Sequence, residues 1–287
     1  MVIRLLAAGG LGNQLFQYAA VGAQAKRLGV EMEIDLLFYD PATPRPYSFW
    51  LAHLPIRARL VHYPQSGPLA AHGLARRAWR KLATPIFWRR YRQPAWTEDH
   101  RFFQIADGTI VSGYFQSLFY LLPRDEEVLA ELSLWHAAPP EACEFARSIA
   151  SANYVSLHIR RGDAVSHPEF GHLDSACYAG AAMDLLRHKL DRPRFLVFSD
   201  DIEWCKRSGV FSADCEFMAP NRFGDNPAID LLLMSLCSHH IVANSTYSWW
   251  AAWAQFRPDK ICVIPRMWTA SRTAESLGLV HPDWFTL

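Results

Sequence analysis

Two adjacent arginines, Arg160 and Arg161, leave an apolar stretch in the run His158-Ile159-Arg160-Arg161-Gly162-Asp163. A guanidinium offers forked donors that match phosphate oxygens, so a pair of them at the end of a candidate strand points to binding of a phosphorylated ligand. The plainer alternative is an ion pair to Asp163 or a solvated turn, and the block alone leaves both open. A second run, Asn244-Ser245-Thr246-Tyr247-Ser248, stands directly before Trp249, Trp250 and Trp253. Hydroxyls and amides there can cap a helix and let its N-terminus hold an anion, or do no more than cap it. Asn13 and Gln14 follow the glycine turn Gly9-Gly10-Leu11-Gly12. Side-chain amides in that place suit sugar hydroxyls or a phosphate, with a helix cap as the alternative. Ser199-Asp200-Asp201 brings two neighbouring carboxylates, but not the Asp-x-Asp spacing that chelates a nucleotide-bound cation.

These groups need elements to position them, and the periodicity supplies a set. Val2 to Ala7 is a strand, Leu15, Phe16, Ala19, Ala20 and Ala23 share a helical face up to Gly29, and Val30 to Asp35 is a second strand. From Tyr154 onward strands alternate with helices. The strands are Tyr154 to Ile159, Phe195 to Phe198, Glu216 to Ala219, His240 to Ala243 and Ile261 to Ile264. The helices include one capped by Ser175 and one carrying Ile229, Leu232, Leu233, Leu236 and Cys237. The expected fold is α/β, with two Rossmann-like domains facing a cleft. The boundary falls near Pro139-Pro140, giving a domain over 1–150 with an irregular insertion over about 41–96, and a second domain over 151–287. Parallel sheets bind ligands outside the carboxyl ends of their strands, and the polar runs above follow strands, with Asn221 after a third.

Bulk properties exclude several classes. The chain has 287 residues, 51% of them hydrophobic, enough for substantial cores. A net charge of +1 leaves no global field to attract nucleic acid. Six scattered cysteines with no C-x-x-C pair and no histidine at zinc-ligand spacing read as free thiols in a reducing compartment. No apolar run approaches the roughly 20 residues that cross a bilayer, and the expected location is the cytoplasm. Gly10-Leu11-Gly12 with Glu33 and Asp35 imitates a dinucleotide fingerprint, but Leu15 stands where close packing wants the third glycine, which disfavours a nicotinamide dehydrogenase. The many tryptophans would suit a non-catalytic glycan-binding protein, yet that reading gives the paired arginines no task.

Three motifs together resemble the α-1,2-fucosyltransferases of glycosyltransferase family 11. They are Gly9-Gly10-Leu11-Gly12-Asn13-Gln14-Leu15-Phe16-Gln17-Tyr18-Ala19, the block His158 to Asp163, and Asn244-Ser245-Thr246-Tyr247-Ser248-Trp249-Trp250-Ala251-Ala252-Trp253. The resemblance implies a GT-B fold and inverting transfer of L-fucose from GDP-β-L-fucose, with no cofactor and no required metal. The implied acceptor is the 2-hydroxyl of a terminal β-galactose, in a galactose-terminated oligosaccharide or a lipid-linked glycan. Carried onto this sequence, Arg160 and Arg161 would hold the pyrophosphate beside His158 and Asp163. Ser245, Thr246 and Tyr247 would line the phosphates from the opposite loop, Asn13 would face the reacting sugar, and Asp200 or Asp201 would contact guanine. Asp163 and His158 are the candidates for a general base. A basic and aromatic segment, Arg76 to Arg92, has a composition that can rest on anionic lipid, and peripheral contact with the inner face of a bacterial membrane is the corresponding expectation.

Overall fold

The computed structural model describes residues 1–41, 46–62, 88–122, 124–255 and 257–287. The chain divides into two compact units, Met1–Ser133 and Leu134–Leu287.

In the first unit five parallel strands, β1 (Val2–Leu6), β2 (Glu31–Asp35), β3 (Arg59–Val61), β4 (Arg89–Arg92) and β5 (Thr109–Ser112), form a sheet in the order β3-β2-β1-β5-β4. Helix α1 (Leu11–Leu28) connects β1 to β2, burying Leu15, Phe16, Ala19 and Ala20. It stops at Gly29, whose left-handed backbone (φ 64°) lets its N–H reach back to the last carbonyls. The two edge strands lie inside the stretch that the sequence marks as irregular. Arg59, Arg89, Arg90 and Arg92 give these short strands no apolar alternation to detect, and charged residues are what exposed sheet edges carry. Glu33, which mimicked a ribose-binding acid, is buried and paired with Arg4 and Arg59 across the sheet, so it serves the fold.

Of the basic and aromatic segment, residues 76–87 lie outside the described residues. Residues 89–92 are β4, and Trp88 packs under the Arg4 guanidinium at 4.7 Å. Among the described residues no helix is long and apolar enough to cross a membrane.

The second unit holds a parallel six-stranded sheet, ordered β13-β10-β9-β6-β7-β8. Its strands are β6 (Tyr154–Ile159), β7 (Arg194–Ser199), β8 (Cys215–Phe217), β9 (His239–Ile241), β10 (Cys262–Ile264) and β13 (Phe285–Thr286), while β11 (Met267–Thr269) and β12 (Arg272–Thr273) pair as a hairpin. Every residue of β6 is buried, as a central strand covered on both faces requires. Val155, Leu157 and Ile159 of β6 pack with Phe195 and Val197 of β7 and with Tyr178, Ala182, Met183 and Leu186 of one covering helix.

Besides α2 (Glu126–Ala130) in the first unit, the helices are α3 (Pro140–Ser151), α4 (Ser175–Lys189), α5 (Ile202–Arg207), α6 (Pro227–Ser235) and α7 (Thr246–Ala254). The cap of α4 is Asp174 rather than Ser175, because the Asp174 carboxylate accepts from the N–H groups of Ala176 and Cys177. All six cysteines are free thiols.

Candidate functional site

Parallel pairing of β6 with β7 and β9 brings three polar runs of the second unit to one edge of its sheet. Arg160, leaving β6, donates from Nη1 to the Asn244 carbonyl at 3.3 Å, at the end of the β9 loop. Arg161 donates its backbone N–H to Asp200 Oδ1 at 2.8 Å and its Nε to Asp201 Oδ2 at 3.3 Å, at the end of β7. His158 Nδ1 meets Ser248 Oγ at 2.9 Å inside the first turns of α7. The predicted convergence of these runs is therefore present within a single unit.

The two arginines diverge. Arg160 points toward the start of α7, stacks over Phe170 at 5.1 Å and is paired with Asp163 at 3.1 Å. That ion pair is the plainer alternative weighed for the block, and it coexists with the approach to Asn244. Arg161 turns the other way, its guanidinium lying 4.0 Å over Trp204. Stacking on an indole and pairing with Asp201 fix the plane of its fork. Gly162 sits between them because a Cβ there would come within 2.6 Å of Asp200 Oδ2. Asp201 also caps α5 by accepting the Trp204 N–H at 3.0 Å. Both carboxylates line a cavity of about 330 Å³ with Ile202, Lys206, Phe217 and Pro220.

Helix α7 begins at Thr246 with Ser245 as its cap, the Ser245 hydroxyl accepting from the Tyr247 N–H at 3.3 Å. No acidic residue of the helix itself occupies its first turn, so its own sequence adds no negative charge at the positive end of the helix dipole. Asn244 is buried and donates its amide to the Phe170 carbonyl at 3.0 Å, so it braces the loop. Tyr247 commits its hydroxyl to the Pro227 carbonyl, and its ring lies 5.7 Å from that of His158.

His158 is enclosed, and burial together with the nearby Arg160 charge lowers its pKa to about 3. It is neutral at physiological pH, a buried hydrogen-bonding group against Ser248, while Asp163, the other candidate for general base, is the more open of the two.

Gln14 requires a correction. It is fully buried, its Nε2 donating to the carbonyls of Gly9 (2.9 Å) and Ser48 (2.8 Å) and its Oε1 accepting from the N–H groups of Trp50 (2.9 Å) and Leu51 (3.3 Å). A side chain with its hydrogen-bonding capacity spent on backbone cannot meet a substrate, so Gln14 is an internal clamp of the first unit. Asn13, one residue earlier, stays half-buried and accepts from Gln116 Nε2 at 2.7 Å.

Sequence reading missed Trp204 and Asp230. Trp204 lies three residues beyond Asp201, where α5 turns its ring under Arg161. Asp230 looks like an ordinary acid in the first turn of α6, but burial raises its carboxyl to about 6 and it lies close enough to act on the Tyr247 hydroxyl.

The sequence profile of Glycosyl transferase family 11 matches residues 75–287. An alpha-1,2-colitosyltransferase of Escherichia coli is 31% identical over 96% of this chain and 96% of its own length. A galactoside 2-alpha-L-fucosyltransferase of Mus musculus is 29% identical over 85% of this chain, which spans 62% of that protein. Among solved structures, the ADP-heptose LPS heptosyltransferase II of E. coli superposes on the whole chain and 90% of its own, with a TM-score of 0.51 at 9% identity. That likeness concerns the fold alone, which is the α/β, GT-B-like type.

Proposed function

Because the chain belongs to glycosyltransferase family 11, we propose that it transfers L-fucose from GDP-β-L-fucose to the 2-hydroxyl of a terminal β-galactose, with inversion at the anomeric carbon and without a metal ion. The observation that carries the reading is Arg160 reaching the Asn244 carbonyl at 3.3 Å, directly before the N-terminus of α7. Together they form a cradle in which a guanidinium and backbone N–H groups can take the charge of a diphosphate.

In the proposed step the acceptor oxygen bonds to the anomeric carbon from the face opposite the diphosphate. The bond from that carbon to the β-phosphate oxygen breaks, its electron pair leaves with GDP, and the acceptor hydroxyl's proton passes to a base or to water. Charge building on the leaving oxygen is what Arg160, the Ser245, Thr246 and Tyr247 loop, and the rigidly stacked Arg161 would stabilise. Asp163, half-exposed beside Arg160, is the more accessible of the two candidate bases. Asp200 and Asp201, on the 330 Å³ cavity, are proposed to face the nucleoside. The acceptor would be a galactose-terminated oligosaccharide or lipid-linked glycan.

The test is incubation with GDP-fucose and a panel of β-galactosides, with and without EDTA, followed by determination of the new linkage. Release of GDP that needs the galactoside, survives chelator and yields an α-1,2 bond supports the reading; a strict metal requirement or another linkage overturns the corresponding part. The identity to the E. coli colitosyltransferase favours a second reading, transfer of colitose, which GDP-colitose in the same assay distinguishes.

A further inference from the structure

At the carboxyl edge of the first sheet two tyrosines are partly exposed, Tyr47 at 37% and Tyr114 at 45%. Their backbones are tied down by the glutamines Gln14, Gln17 and Gln93 and by the strained Phe115. Gln14 grips the Ser48 carbonyl next to Tyr47 and the Gly9 carbonyl of the β1 turn. Gln17 accepts the Ala8 N–H at 3.1 Å and donates to the Gly113 carbonyl at 3.0 Å, so it ties the β1 turn to the loop after β5. Gln93 Oε1 accepts the N–H groups of Tyr114 (3.0 Å) and Phe115 (2.8 Å), and Phe115 is held at φ 54°. A non-glycine residue in the left-handed region costs energy and needs surroundings that enforce it.

Between these loops lies the Asn13 and Gln116 amide pair, joined at 2.7 Å. Gly9, at φ 84°, makes room for it, since a Cβ there would stand 2.4 Å from Asn13 Nδ2. The Tyr47 ring lies against Gly10, 3.4 Å from where a Cβ would be. Tyr114 lies near Tyr39, whose hydroxyl donates to the Gly9 carbonyl at 2.8 Å.

We propose that Tyr47 and Tyr114, flanking the Asn13–Gln116 amide pair, form the acceptor-sugar subsite of the first unit. The inference rests on the function proposed above. Sugars present apolar C–H faces and equatorial or axial hydroxyls, and an amphipathic ring beside fixed amides meets both. Rings carried on a clamped backbone lose little conformational freedom on binding, which favours recognition of a small ligand.

The experiment compares Tyr47→Ala and Tyr114→Ala with the wild type in steady-state transfer to methyl β-D-galactopyranoside, with GDP binding followed by calorimetry. The expected result is a rise of about tenfold in acceptor KM in each variant, a thermal midpoint within a degree or two of wild type, and a GDP dissociation constant within twofold. Tyr47→Phe and Tyr114→Phe, which keep the ring, should restore most of the acceptor affinity. Acceptor KM within twofold of wild type in both alanine variants overturns the subsite while leaving the fucosyl transfer reading intact. Failure of the wild type to release GDP with any β-galactoside overturns that reading and this assignment with it. A variant that loses GDP binding as well as acceptor affinity also counts against the subsite, because the effect would then not be local.

Discussion

Asp230 in α6 stands in its native environment at a cost to stability, and replacing it with asparagine should show how much. Its carboxyl ordinarily titrates near 3.8 and here near 6, with burial as the cause. Between those values the unfolded chain has given up the proton while the folded chain retains it, so stability falls as pH rises from about 4 to 6 and the loss persists at pH 7. At 1.36 kcal/mol per pH unit the ceiling is about 3 kcal/mol. The residue is half-buried, so partial solvation brings the expected gain for Asp230→Asn to roughly 1 to 3 kcal/mol at pH 7. Toward pH 3 the carboxyl is neutral in both states and the advantage of the asparagine should vanish, most of it being already gone at about pH 4. Urea denaturation of both proteins at pH 7 and pH 4 is the assay, read as a difference in free energy at each pH. A gain equal at the two pH values would show that packing, not ionisation, is responsible. No gain at pH 7 would refute the argument that the charge is poorly solvated there.

Arg160→Ala should weaken GDP binding by roughly 10- to 100-fold, the range for loss of a charged hydrogen bond, with the fold intact by circular dichroism; calorimetry decides. Arg161→Lys should lose more transfer activity than its retained charge suggests, because an ammonium cannot lie flat on Trp204, and kcat equal to wild type would refute that role for stacking. Gly162→Ala drives Asp200 away from the Arg161 N–H and should cost about 1 kcal/mol of stability along with GDP affinity, measured by denaturation and by calorimetry. Stability as a whole should fall between pH 6.5 and 5, because the unfolded chain gains protons there that the buried His158 and His240 refuse, their pKa values lying below the ordinary 6.5. This acts against the smaller opposite contribution of Asp230, and a urea midpoint at pH 5 at or above that at pH 7 contradicts it.

How far the sequence could be read depended on whether a residue's task is set by its own segment or by a distant one. The helix face of Leu15, Phe16 and Ala19, the αL stop at Gly29 and the strand β6 are local consequences of period and capping, and each stands where the pattern put it. The polar runs behind β6, β7 and β9 were equally legible, because in a parallel sheet every strand end faces the same edge, so strand assignment alone brings Arg160 to Asn244 and Arg161 to Asp200. Gln14 shows the opposite situation. Its neighbour Asn13 keeps partial access, and nothing in the spacing distinguishes the two, since what consumes the Gln14 amide is backbone from residues 48–51. The same holds for the three-residue β3 and the arginine-rich β4, which gain their partners from β2 and β5 and carry no period of their own. It holds also for the divergence of the two adjacent arginines, decided by Trp204 on one side and by Phe170 on the other. A chemistry-bearing residue read from sequence therefore gives the type of ligand it could meet, while the long-range backbone around it decides whether any capacity remains to meet it.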